Sequence, residues 1–250
     1  FFGLFKKVIF ADGLAAYATP VFEAARYGYV LSLMEAWEGA LAYTLQIYFD
    51  FSGYSDMAIG LAFLFGIRIP LNFNSPYQSL NVIDFWRRWH MSLSRFLRDY
   101  LYIPLGGNRK GETMRFVNIM ITMLLGGLWH GAAWTFVLWG GLHGLFLIIN
   151  HGWVKIKNRL GYEGKGGRAG RFFSAALTFL AVTVAWVFFR ADSAATAFRI
   201  IGSMAGQNGF ALPEKYLDKF AVLAVPLQSW GVDFHSMHYF KGSNEVVYIL

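Results

Sequence analysis

The sequence has no cysteine. That excludes disulfides and cysteine-ligated zinc or iron–sulfur sites, and it leaves the redox compartment undetermined. Charge is also scarce, at 15% of residues, where a soluble domain carries about 25%. The usual soluble-enzyme signatures are missing: there is no G-x-S-x-G, no Gly-Lys-Ser/Thr phosphate loop and no G-x-G-x-x-G. No internal repeat is present. The first residues, "FFGLFKKVIF", carry no signal-peptide pattern. They open in mid-pattern, so we expect a piece of a longer protein. "EVVYIL" at the other end is expected to begin another apolar segment.

What is present is apolar. Hydrophobic residues make up 56% of the 250 and aromatics 19%, and the mean hydropathy is +0.40. These values place the chain among membrane proteins, embedded in a lipid bilayer. The net charge of +7 raises nucleic acid as a partner, but its distribution argues against one. Residues 85–115 hold seven basic and two acidic side chains, and residues 155–171 hold six and one. Positive blocks beside apolar spans are the pattern of cytoplasmic loops, so no nucleic-acid role is expected.

Along the chain, residues 1–27 read as an amphipathic or partly inserted helix ending near Pro20. Residues 29–49 and 51–69 each fit one crossing of about 20 residues. Asp50 is expected at the membrane interface, capping the second helix, and Pro70 ends that span. "PLNFNSPYQSLN" is a polar turn-rich loop. "DFWRRWHMSLSRFLRDYLYIPLGG" is expected to form one interfacial helix. Phe85, Trp86, Trp89, Leu93, Phe96, Leu97, Tyr100 and Leu101 fall on one face, the arginines 87, 88, 95 and 98 on the other, and His90 at the border.

Residues 116–154 carry no Lys, Arg, Asp or Glu. A helix of that length would be about 58 Å long, too long for one crossing. We expect two crossings with a turn near Gly140–Gly141. Both flanks are basic, so both ends of the hairpin face the cytoplasm. A basic loop follows over 156–171, then another crossing over 172–189. Residues 192–245 form an extracytoplasmic loop region with one amphipathic helix near 193–205.

The uncharged run contains His130, His143 and His151. His130 stands among Gly126, Gly127, Gly131, Ala132 and Ala133. Glycines four residues apart let helices approach closely and leave space beside them. A neutral imidazole in an apolar site stays a base and can take a proton from an attacking hydroxyl. The same residue could instead hydrogen-bond a neighbouring carbonyl. His151 is expected at the interface and His143 in a structural role. His90, beside Arg87 and Arg88, is either one more interfacial polar residue or a second functional imidazole. Asp233, His235 and His238 have ligand-like spacing but no fourth ligand, and no metal site is expected. From the residues alone, a polytopic helical enzyme and a proton-coupled transporter or channel both stay open.

Three ordered stretches make the reading specific: "FDFSGYSDMAIG", "NFNSPYQSLNVIDFWRRWHMSLSRFLRDYLYIPLGGNRKG" and "LLGGLWHGAAWTFVLWGGLHG". Together they resemble the membrane-bound O-acyltransferase family, in its bacterial alginate O-acetyltransferase-like branch, most strongly over residues 45–153. The resemblance implies an all-α transmembrane bundle, here a partial membrane domain over 1–250 without the N-terminal helices. It implies acyl transfer from an activated cytoplasmic donor, acetyl-CoA or another acyl thioester, to a hydroxyl of a periplasmic or extracellular polysaccharide. It maps the family's histidine onto His130 of "GLWHG" and the partner position onto His90 of "WRRWH". Trp129, Arg88 and Trp134 are expected to line the site. No bound cofactor and no metal is implied. Extracytoplasmic acetyltransferase partner proteins and the bacterial inner membrane are.

Overall fold

The computed structural model describes residues 1–161, 167–213 and 232–235. Eight helices carry the described chain. They are α1 (Phe2–Arg26), α2 (Leu33–Leu64), α3 (Val82–Arg88), α4 (Met91–Leu97), α5 (Glu112–His130), α6 (Trp134–Arg159), α7 (Arg168–Arg190) and α8 (Ala194–Met204). Two short strands, β1 (Phe210–Pro213) and β2 (Val232–His235), pair in parallel. The all-α expectation therefore holds, with that small ribbon as an addition that no periodicity announced.

Among the described residues three helices are long and apolar enough to cross a membrane: α1, α6 and α7. Much of their apolar surface is outward. Ile149, Trp153, Phe172, Phe173 and Leu177 are all exposed, as side chains against lipid would be. The crossing expected over 172–189 is α7, and the amphipathic helix expected near 193–205 is α8. α5, which contains Arg115, Asn118 and His130, is not among the three.

The chain divides into two compact units. One comprises residues 5–51 and 190–250. In it α1 meets α8: the Arg199 guanidinium donates to the Ala25 carbonyl at 3.0 Å, and Arg26 pairs with Asp192 at 3.0 Å. α1 runs through Pro20 rather than ending there. A proline inside an apolar helix is tolerated where neighbours or local turn adjustments satisfy the freed carbonyl. Asp50 does not cap a second helix, because α2 is one continuous helix of 32 residues through Asp50 and Asp56. Its carboxylate is satisfied instead by the Lys7 ammonium, 2.6 Å away.

The other unit comprises residues 1–4 and 52–189. Its centre is the α5–α6 hairpin, closed at the open end by an ion pair between Lys155 and Glu112. The hairpin turns at 131–133, not at Gly140–Gly141, which lie inside α6. The glycines serve packing. A Cβ on Gly127 would run into the Phe136 carbonyl oxygen, and one on Gly140 into that of Met123. Helix association in lipid depends on such close backbone approach. The space expected beside His130 is therefore filled, on the Gly127 side, by the partner helix.

The helix expected over 84–107 is broken. α3 ends at Arg88, and His90 adopts a left-handed conformation (φ 41°, ψ 57°) before α4 begins. A non-glycine residue there carries strain of about 1–2 kcal/mol and needs outside support. Phe85, Trp86, Trp89, Leu93 and Leu97 are buried as the periodicity required, whereas Phe96 and Tyr100 are exposed. Asp233 and His235 lie on β2, and His238 and "EVVYIL" lie outside the described residues.

Candidate functional site

His130 is the last residue of α5. Gly131 follows in an extended conformation (φ 162°) and ends the helix. The imidazole is half-buried in an aromatic setting. Its ring centroid lies 4.9 Å from Phe189, 5.2 Å from Trp139 and 5.0 Å from Trp129. Among the described residues its ring nitrogens have no hydrogen-bond partner, and Trp129, Phe136, Trp139 and Phe189 lie against the ring. An imidazole so placed has apolar walls and both nitrogens free for a ligand.

Trp129, 63% exposed, connects this residue to the second histidine. Its ring centroid is 6.5 Å from that of His90. The break between α3 and α4 puts His90 there, and the break is held from a distance in sequence. The Asn72 carbonyl accepts from the Met91 N–H at 2.9 Å. The Asn72 side-chain oxygen accepts from the Ser92 N–H at 3.0 Å and the Ser92 hydroxyl at 2.9 Å. The same oxygen lies 3.2 Å from His90 Nδ1. Desolvation, and secondarily the positive charge that His130 would carry, hold the His90 pKa down to about 4. His90 is therefore neutral near pH 7.

The other expected site residues divide. Arg88 is tied to its own helix through Asp84, Nε to Oδ1 2.9 Å, and reaches the Asn74 carbonyl at 3.5 Å. Trp134 opens α6 and is 78% exposed. Trp129 lies beside both imidazoles, its ring centroid 5.0 Å from that of His130 and 6.5 Å from that of His90.

His143 lies one helix further on and is fully buried. Trp86 donates its indole N–H to His143 Nδ1 at 3.3 Å. Phe85, Trp86, Trp139, Phe146 and Trp186 surround the ring, with centroids 4.9–6.2 Å away. This is the structural environment expected for it. His151 sits near the open end of the hairpin, 2.7 Å from the Arg115 guanidinium. The sequence reading passed over Asn72, Trp139 and Phe189. Asn72 left one trace, a position in a turn-rich segment. Trp139 and Phe189 looked like any other aromatic in an apolar helix.

The profile of MBOAT, the membrane-bound O-acyltransferase family, matches residues 1–162. The chain is 46% identical over 210 residues to the peptidoglycan O-acetyltransferase of Helicobacter pylori, covering 84% of this chain and 38% of that protein. It is 47% identical over 212 residues to the probable alginate O-acetylase AlgI of Pseudomonas aeruginosa, covering 85% and 38%. A teichoic acid D-alanyltransferase of Streptococcus thermophilus is 37% identical over 130 residues, covering 49% of this chain and 31% of that protein. The chain thus spans about two fifths of the length of the first two relatives.

Proposed function

Because the chain belongs to the membrane-bound O-acyltransferase family, we propose that the protein containing it transfers an acyl group, in particular acetyl, to a hydroxyl of a cell-envelope polysaccharide, with His130 as general base. One observation supports the role of His130: a half-buried imidazole at a helix end, walled by rings, with no hydrogen-bond partner among the described residues. Two relatives are named for O-acetylation, one of peptidoglycan and one of alginate. Their identities to this chain are nearly equal, so they favour the class of acceptor and not one polymer.

The donor is an acyl thioester, acetyl-CoA or a protein-bound equivalent, approaching from the cytoplasm. A neutral His130 nitrogen accepts the proton of the acceptor hydroxyl as the oxygen attacks the thioester carbonyl. A C–O bond forms and the carbonyl oxygen takes the negative charge. Collapse of this intermediate breaks the C–S bond, and the leaving thiolate takes the proton back from the imidazolium. The histidine is thereby restored. The ring walls exclude water that would otherwise hydrolyse the thioester. His90, neutral beside Trp129, orients the donor or accepts a hydrogen bond from the acceptor. Trp129 lines the acyl path, and Arg88 and Trp134 lie at its margins.

We place the protein in the bacterial inner membrane as a multi-pass protein. Lys155, Lys157, Arg159, Arg168 and Arg171 cluster at the ends of α6 and α7, as cytoplasmic ends do. Extracytoplasmic acetyltransferase proteins would complete delivery to the polymer. The test is His130→Ala in the full-length protein, read by mass spectrometry of cell-surface polymers. Loss of O-acetylation with normal membrane abundance is expected. Unchanged acetylation would overturn the assignment.

A further inference from the structure

We propose that Asn72 is the positioning residue for His90: its side-chain oxygen fixes the imidazole as the Nδ1–H tautomer and holds the ring in place. The inference takes its catalytic meaning from the acyl-transfer reading above, but the tautomer itself can be observed without it.

The argument begins with a donor whose direction is fixed. The Ser92 backbone N–H can only donate, so the Asn72 side-chain atom 3.0 Å from it is the oxygen, not the amide nitrogen. That oxygen is also 3.2 Å from His90 Nδ1. Two lone pairs cannot face each other at that distance with any gain, so Nδ1 carries the proton. The Ser92 hydroxyl closes the arrangement. It donates to the Asn72 oxygen at 2.9 Å and lies 3.3 Å from His90 Nδ1, where it can share that proton. Neutral imidazole has one N–H, so Nε2 is left as an acceptor.

Asn72 also fixes the position of the ring. It accepts from Met91 N–H and Ser92 N–H, the first backbone donors of α4, which His90 caps without a side-chain hydrogen bond. The left-handed backbone of His90 is thus held by the residue that sets its tautomer. A second histidine that accepts a hydrogen bond cannot, while neutral, donate one to the oxyanion of the intermediate. Under the acyl-transfer reading, the Nε2 of this tautomer can accept from the acceptor hydroxyl and cannot donate to the oxyanion.

The experiment is nitrogen-15 NMR of the full-length protein in nanodiscs with labelled histidine, His90 being assigned by the signals lost in His90→Asn. The expected spectrum has His90 protonated at Nδ1. Asn72→Ala should move it to Nε2–H or a mixture, and Asn72→Asp, which keeps an acceptor in place, should hold it at Nδ1–H. His90 as Nε2–H in the unaltered protein overturns the proposal, as does an unchanged tautomer in Asn72→Ala. Should Asn72→Ala fail to fold, the unaltered and Asn72→Asp spectra decide. In acetyl transfer, kcat should fall about tenfold in Asn72→Ala, the low end of the loss seen when a metal-bound histidine loses its outer hydrogen-bond partner. It should recover to within about twofold in Asn72→Asp, which restores that partner. Loss of kcat in Asn72→Ala that Asn72→Asp does not restore would overturn the catalytic role. If His130→Ala retained acetylation, the acyl-transfer reading would fall while the tautomer result stood by itself.

Discussion

His130 and His143 are the same side chain in the same uncharged run, thirteen residues apart, and the fold treats them oppositely. His143 is in mid-helix, fully buried, with Trp86 donating to it and five rings closed around it. His130 ends its helix, half-buried and without a hydrogen-bond partner among the described residues. Trp139 touches both rings. A helix end beside an extended glycine exposes what the helix middle encloses, and under the proposed acyl transfer that exposure makes His130 the reagent and His143 the packing element.

Substitution can sharpen this contrast or break it. The largest effect is expected at His130. In His130→Ala, kcat for O-acetylation should fall about 10²–10⁴-fold, the usual worth of a general base, while the melting temperature in nanodiscs barely moves. His143→Leu should do the reverse. It leaves the Trp86 indole N–H buried without an acceptor and should lower stability by about 1–3 kcal/mol, read as a lower melting temperature. Activity per folded molecule should stay within a few-fold. If His143→Leu folded normally and lost activity, the division of roles would be wrong.

Gly127→Ala tests the hairpin that carries both residues. The new methyl would meet the Phe136 carbonyl, and overpacking of this kind costs about 1–3 kcal/mol. Because the strain falls one turn from His130, activity should drop along with the melting temperature. Gly152, which has nothing within 4 Å of an added Cβ, is the matched control, and Gly152→Ala should leave both unchanged.

The smallest effect concerns pH. The folded-state pKa of His90 is about 4, below the usual 6.5. Between those values the unfolded state binds the proton and the folded state does not. Stability contributed by neutral His90 is thus fully present above about pH 6.5 and lost as pH falls toward 4. The acid-side fall in melting temperature should be shallower in His90→Asn than in the unaltered protein. An identical pH profile would show that His90 does not carry that term.

Much of this was legible in the sequence because composition and charge act locally. An uncharged run of this length between basic flanks must fold back, and α7 ends at Arg190 where its apolar run ends. The errors came where one residue type serves two purposes. Gly140–Gly141 read as a turn but serves helix contact. "WRRWHMSLSRF" read as one helix because its apolar face has one period, and the break at His90 depends on Asn72, eighteen residues earlier. Pro20 and Asp50 read as boundaries, yet α1 and α2 continue through them.

The sequence by itself determined the membrane class, the family through its three ordered stretches, and the short set of histidines from which a base could come. The tertiary structure alone decided which imidazole is enclosed, which is open, and which residue holds His90. The reason is physical. Hydropathy and period describe one segment in its solvent, whereas the state of an imidazole depends on the donor facing it and on the neighbours that exclude water. Here those are Trp86 for His143, Asn72 for His90 and the rings of Trp139 and Phe189 for His130.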